Sequence, residues 1–267
     1  MMSGMKASGI SYDRRGSGPP VVLVHGIGSR WQVFEPVIDL LAATHDVIAL
    51  DLPGFGASPA DAAVDASPPG YARRLVSFFE ELGVERPHVV GNSMGGGIAI
   101  ELGRSGNASQ VTAFSPVGFW STPGRVWCQS LVTAMRLSGT YAGPVLDKLV
   151  NSKVARGVLL SAFYGRPTWV TPANAVADTH GLVGSTMFRE ARDGFTGYVV
   201  EGDPSTLLDI PVTIGWGTRD VLLTHRTQSR RARQVLPFAR HVDLPGCGHL
   251  PFNDDPYLCA NVILGKA

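Results

Sequence analysis

The pentapeptide Gly91-Asn92-Ser93-Met94-Gly95 constrains this chain more than any other stretch of it. It follows the apolar run His88-Val89-Val90 directly and leads through Gly96 and Gly97 into a segment of helical spacing over residues 94–104. A serine between strand and helix, with glycine two residues to either side, predicts a very sharp turn. The serine backbone is strained there, and only small neighbours let the strand and the helix approach. In this strand–turn–helix context the Ser93 hydroxyl is the candidate nucleophile; a loop serine with glycines for flexibility would need neither flanking element.

Short β-branched runs recur at residues 21–24, 47–50, 88–90, 111–114 and 212–214, and a last strand is expected around 240–244. Continuous apolar strands imply a parallel sheet covered on both faces. Stretches with helical spacing lie between and after them, at 31–43, 71–82, 94–104, 227–235 and 257–264. Strand then helix, repeated, predicts an α/β fold. The alternation lapses between about Pro116 and Leu207, where helical patches at 126–137 and 145–160 stand in a stretch rich in Trp, Arg and Gly. The expected organisation is therefore a core of residues 1–115 and 208–267 with an inserted helical cap at 116–207.

Charge narrows the function classes. Lys and Arg number 23 against 22 Asp and Glu, and no basic run stands out, so nucleic acid is not an expected partner. The longest aliphatic runs fall far short of the roughly 18 residues needed to cross a bilayer. No apolar stretch follows Lys6, and Cys128, Cys247 and Cys259 are too few and too scattered for a disulfide framework or a zinc site. The expectation is a cytoplasmic protein that uses neither metal nor cofactor; no oligomeric state is read from the pattern.

A serine hydroxyl near neutral pH needs a base within hydrogen-bond reach, and that base needs an acid to hold its tautomer. Seven histidines compete. His25 lies before the nucleophile beside Gly26, His45 sits in a polar turn, and His88 begins the serine's own strand. His249 stands in the Gly-rich loop Gly246-Cys247-Gly248-His249 after the last strand, where the chain order serine, acid, histidine would put the base. Asp220, in Gly217-Thr218-Arg219-Asp220 after the strand at 212–214, is the candidate acid, because strand ends at the carboxyl edge of a parallel sheet converge on one crevice. Asp254 and Asp255 precede Pro256 and a helix, and helix capping accounts for them better. Two backbone N–H groups would hold the oxyanion, that of Met94 at a helix N-terminus and that of Ile27 in His25-Gly26-Ile27-Gly28.

These motifs, with Asp51-Leu52-Pro53-Gly54-Phe55-Gly56-Ala57-Ser58, resemble α/β-hydrolase-fold proteins of the capped esterase and epoxide-hydrolase-like branch over nearly the whole length. The resemblance implies Ser93 as nucleophile, Asp220 as acid and His249 as base, with the 51–58 loop mainly structural. Relatives that open epoxides or remove halide carry aspartate at the elbow, so Ser93 points to acyl transfer on a small hydrophobic acyl substrate, by default a carboxylic ester. The stretch 91–96 also resembles the elbow of carbon–carbon bond hydrolases of ring-cleavage diketones, which typically have Trp after the base where this chain has Leu250. A hydrolase-fold binding protein with little turnover is the alternative from another class. The N-terminal part leaves room for one strand around residues 9–14, so the sheet is expected to lack an edge strand of the usual eight. Some of Trp120, Trp127, Met135, Phe163, Tyr164, Trp169, Met187 and Phe188 are expected to line an acyl pocket. Arg226, Arg230, Arg231 and Arg233 are expected to form a solvated helix face.

Overall fold

A computed structural model describes residues 5–201 and 205–267, with the side chain of Ser205 left aside. The strands are β1 (Met5–Ala7), β2 (Ile10–Arg15), β3 (Pro20–Val24), β4 (Asp46–Leu50), β5 (His88–Asn92), β6 (Gln110–Phe114), β7 (Val212–Gly217) and β8 (Arg240–Leu244). They form one eight-stranded sheet in the order β1-β2-β4-β3-β5-β6-β7-β8. From β4 to β8 every neighbouring pair is parallel; β1 with β2 and β2 with β4 are antiparallel.

The helices, in chain order, are α1 (Glu35–Ala42), α2 (Pro68–Leu82), α3 (Met94–Arg104), α4 (Thr122–Leu149), α5 (Lys153–Leu159), α6 (Pro172–Gly184), α7 (Phe188–Asp193), α8 (Ser205–Leu208), α9 (Arg230–Val235), α10 (Pro251–Asp254) and α11 (Pro256–Ile263). Side chains of successive strand residues point to opposite faces, and the two cores follow that alternation. Val22, Val24, Ile48, Leu50 and Val89 pack with Tyr71, Leu75 and Phe78 of α2 and Ile98 and Leu102 of α3. Val21, Leu23, Val47, Ala49 and Val90 pack with Val37, Ile38 and Leu41 of α1 and Val262 and Ile263 of α11. This two-faced burial is why the strands read as unbroken apolar runs.

Two expectations are corrected. The sheet has its full eight strands, because Ser8 (φ 47) and Gly9 (φ 73) turn the chain into a hairpin that adds β1 outside β2. Two consecutive residues with positive φ make the tight turn that matches strand twist; β1, three residues long, was too short to show a period. The helical patches at 126–137 and 145–160 are in fact one 28-residue helix, α4, which runs through Pro144, followed by the short α5. Gly139 is a packing position and not a breaker: a Cβ there would come within 2.7 Å of Val183 on α6. Between β6 and β7 lie α4 to α8, and part of that segment has a small apolar core of its own, Val150, Leu160, Tyr164, Val170 and Ala175.

Candidate active site

The strand-to-helix turn at Ser93 has the geometry its spacing predicts. Ser93 has φ 59 and ψ −118, a left-handed backbone for a side chain that seldom adopts one, and it is buried. The surrounding chain holds it there. Its N–H donates to the Phe114 carbonyl of β6 at 2.9 Å, and its own carbonyl accepts from Gly97 and Val117, each at 3.1 Å. A Cβ at Gly91 would overlap the Gly95 carbonyl, and one at Gly95 would overlap the Val24 carbonyl on β3. Glycine is therefore required at both positions by close backbone approach.

Asp220 and His249 meet. The loops after β7 and β8 bring Asp220 Oδ2 to 2.9 Å from His249 Nδ1, with both side chains almost fully buried. The other carboxylate oxygen, Oδ1, accepts from the Leu222 N–H at 3.0 Å and the Leu223 N–H at 2.9 Å, which fixes the plane of the carboxylate. An Nδ1–H donated to Asp220 leaves the lone pair of Nε2 as the basic site of the ring.

Other histidines are engaged elsewhere. His25 Nε2 accepts from the Leu52 N–H at 3.0 Å, so its proton sits on Nδ1, which donates to the Gly26 carbonyl at 2.7 Å. Burial holds this imidazole below the ordinary histidine value, against the opposing charge of Asp51 and the Gly26 bond. His25 thereby pins the loop 25–28 to the 51–58 loop. His88 faces Thr112 Oγ1 at 2.9 Å, His180 faces Asp147, and His225 faces Asp243. The cysteines offer no competing nucleophile: burial, with the charge of Asp220, pushes the Cys128 thiol up to about 12, burial pushes Cys247 up to about 12, and burial raises Cys259 well above its ordinary value.

The proposed oxyanion donors flank the serine. Met94 is the first residue of α3, and Gly26, the neighbour of Ile27, lies so close that a Cβ on it would be 2.9 Å from the Ser93 Cβ. Asp51 organises the adjoining loop as expected, its two oxygens accepting from the Trp31 N–H at 2.7 Å and the Ala57 N–H at 2.8 Å.

Two residues matter here in ways their sequence positions do not show. Asn92 Nδ2 donates to the His249 carbonyl at 3.0 Å and to the Phe114 carbonyl at 3.2 Å, tying the residue before the serine to the histidine loop. Asp254 does not cap a helix. Fully buried, it accepts from the N–H groups of Gly248 and Gly165, each at 2.8 Å, and of Arg166 at 2.7 Å, so one carboxylate joins the histidine loop to the chain before α6. Asp255 does cap, accepting from the Leu258 N–H at 3.0 Å. A buried acceptor set of three N–H groups has no sequence period; only the pair Asp254-Asp255 before Pro256 is visible, and it reads as a cap.

A cavity of about 370 Å³ adjoins the site, lined by Gly28 and Leu250, the neighbours of Ile27 and His249, and by α4, α5 and α6. Met135, Phe163 and Tyr164 of the expected aromatic and Met set line it. Trp120, Met187 and Phe188 are buried in the main core instead, and Trp127 and Trp169 are exposed. Its polar wall is Arg30, Asp178 and Tyr164, with the Tyr164 hydroxyl donating to Asp178 at 2.9 Å and the Arg30 guanidinium 3.6 Å from the same carboxylate. Among the described residues no cluster of His, Cys, Asp or Glu could hold a metal ion, and no helix is long and apolar enough to cross a membrane.

Comparison with known proteins agrees with this architecture. The model of the alpha/beta hydrolase family matches residues 21–262. An uncharacterized protein of Mycobacterium tuberculosis is 29% identical over 90% of this chain and 73% of its own length. The pimeloyl-[acyl-carrier protein] methyl ester esterase of Aeromonas hydrophila is 36% identical over 36% of each chain. Among solved structures, a thermophilic esterase from Thermogutta terrifontis superposes with a TM-score of 0.71, covering 98% of this chain and 95% of its own at 20% identity.

Proposed function

Since this chain belongs to the alpha/beta hydrolase family, we propose that it hydrolyses a carboxylic ester through an acyl-enzyme on Ser93, with His249 as base and Asp220 as the acid that orients it. The observation that carries the reading is the buried Asp220–His249 contact at 2.9 Å, fastened to the serine turn through Asn92. Ser93 Oγ attacks the ester carbonyl as its proton passes to His249 Nε2. The oxyanion is held by the Met94 and Ile27 N–H groups, and His249 returns the proton to the departing alkoxide. Water, deprotonated by the same nitrogen, then attacks the acyl carbonyl and frees Ser93.

Residues 116–207 act in this reading as a cap, and the cavity beneath α4–α6 takes the acyl chain. Its lining is mostly aliphatic and aromatic, which favours hydrophobic acyl groups, and Arg30, Asp178 and Tyr164 offer one polar contact to an oxygen on that chain. The similarity of part of the chain to a pimeloyl-[acyl-carrier protein] methyl ester esterase supports the same reading.

The test is covalent labelling with a fluorophosphonate beside turnover of a series of p-nitrophenyl esters. The folded protein is expected to label and to turn over, and Ser93→Ala to do neither. Folded protein that fails to label overturns the assignment in favour of a binding role; full activity in Ser93→Ala removes Ser93 from the mechanism.

A further inference from the structure

The outer surface of the helical segment concentrates exposed apolar side chains. On α4, Leu137, Tyr141 and Val145 recur every fourth residue and so form one stripe; all three are exposed, Tyr141 by 83%. On α5, Val154 and Val158 repeat the spacing at 79% and 71% exposure. A helix on a globular protein ordinarily turns such a stripe inward. Here α4 turns its adjacent face, with Leu131, Met135 and Leu146, toward the cavity and leaves this stripe uncovered. Exposed apolar surface of this kind marks an interaction site.

Two observations identify what covers it. The patch borders the cavity, because Ser138 and Val158 are exposed and also line it. The fixed charges of the same stretch are also positive. Between residues 134 and 160 the single acid, Asp147, faces His180 at 3.1 Å, Arg156 is buried against the Val150 and Asn151 carbonyls and Arg136 donates inward to the Leu182 and Ser185 carbonyls, so Lys148 and Lys153 are the cations left facing outward. Lys148 and Lys153 are exposed and sit at the corner between the two stripes. Apolar side chains flanked by lysine on helices at a surface have the make-up of an interfacial anchor, with the stems and apolar groups among acyl chains and the ammonium groups among anionic headgroups.

We propose that this patch docks on an anionic lipid bilayer and that the cavity mouth draws its ester from that surface, which makes lipid esters with long acyl chains the substrate class. The substrate part rests on the hydrolase reading above; the docking part does not. A second copy of the chain is the competing occupant, but a symmetric pairing of this patch sets its lysines against each other.

The experiment is co-sedimentation of the full chain with phosphatidylcholine vesicles with and without phosphatidylglycerol, beside sedimentation velocity without lipid. Binding to the phosphatidylglycerol vesicles is expected, weakened by salt. The triple variant Tyr141→Ser, Val145→Ser, Val154→Ser changes only exposed positions outside the cavity lining. It is expected to lower vesicle partition at least ~10-fold while turnover of a water-soluble short-chain ester stays within ~2-fold. No vesicle binding, or equal binding by the variant, overturns the proposal; a lipid-indifferent dimer that the variant separates assigns the patch to a second copy. Protein that binds vesicles yet shows no turnover sinks the hydrolase reading alone, whereas active protein that ignores vesicles sinks this one.

Discussion

The side-chain amide of Asn92 donates to the backbone carbonyl of His249 across 157 positions of sequence, 3.0 Å away, so the turn that carries Ser93 and the loop that carries His249 are one hydrogen-bonded unit. Replacing Asn92 by Ala leaves two buried carbonyls, those of His249 and Phe114, without this donor. The expected result is a loss of about 1–3 kcal/mol in stability and of roughly 10-fold or more in kcat. Urea unfolding and ester turnover measure the two effects; unchanged kcat with a lowered midpoint would leave Asn92 a purely structural role.

Asp220→Asn keeps the shape of the side chain but places a potential donor opposite His249 Nδ1, which favours the wrong tautomer. A fall in kcat of about 10³- to 10⁴-fold is expected, with KM little changed. The Leu222 and Leu223 N–H groups can still donate to the amide oxygen, so the melting temperature should move by only a few degrees.

Asp254→Ala is expected to damage stability more than any change at Asp255. Its removal orphans the N–H groups of Gly248, Gly165 and Arg166 together in a buried site, a cost of about 3–5 kcal/mol. Asp255→Ala loses one cap on α11, roughly 1 kcal/mol. Paired denaturation curves test the ordering, and equal destabilisation by the two variants would contradict it.

His88 gives the fold an acid-side weakness. Burial, with a smaller contribution from His45, lowers its ring to about 4 from an ordinary value of 6.5. In the window between those values the unfolded chain binds the proton and the folded chain does not, so stability is full above the window and declines as pH falls through it. Burial of His25 acts in the same direction. The His88 contribution is of order 1–3 kcal/mol. His88→Gln should flatten the fall in unfolding free energy between about pH 7 and about pH 4; an unaltered slope would assign it to other groups.

Local sequence carried much of this architecture, and the reasons differ by element. The strands showed because both faces of the sheet are buried, which makes Val21 to Val24 and their counterparts continuously apolar. The turn at Ser93 showed because the steric demands at Gly91 and Gly95 admit one residue type. The meeting of Asp220 with His249 was legible only through the rule that parallel strands deliver their loops to one edge. Long-range ties had no such marker. Asn92 occupies a position the turn leaves free, and Asp254 resembles a cap because its partners are backbone N–H groups, two of them, on Gly165 and Arg166, distant in sequence. The continuity of α4 was hidden by Gly139, Gly143 and Pro144, which break an isolated helix but not one braced against α6.

Gly165, Gly217 and Gly248 meet backbone to backbone: a Cβ on Gly165 would overlap the Gly246 carbonyl, and one on Gly217 the Gly248 carbonyl. Apart from the Asp254 carboxylate that bridges Gly165 and Gly248, this junction has no side chains to repack, so its geometry follows the path of the main chain. In the hydrolase reading proposed above, selection for a new substrate would therefore work through the cavity-lining side chains of α4 to α6 and leave this seam as it is.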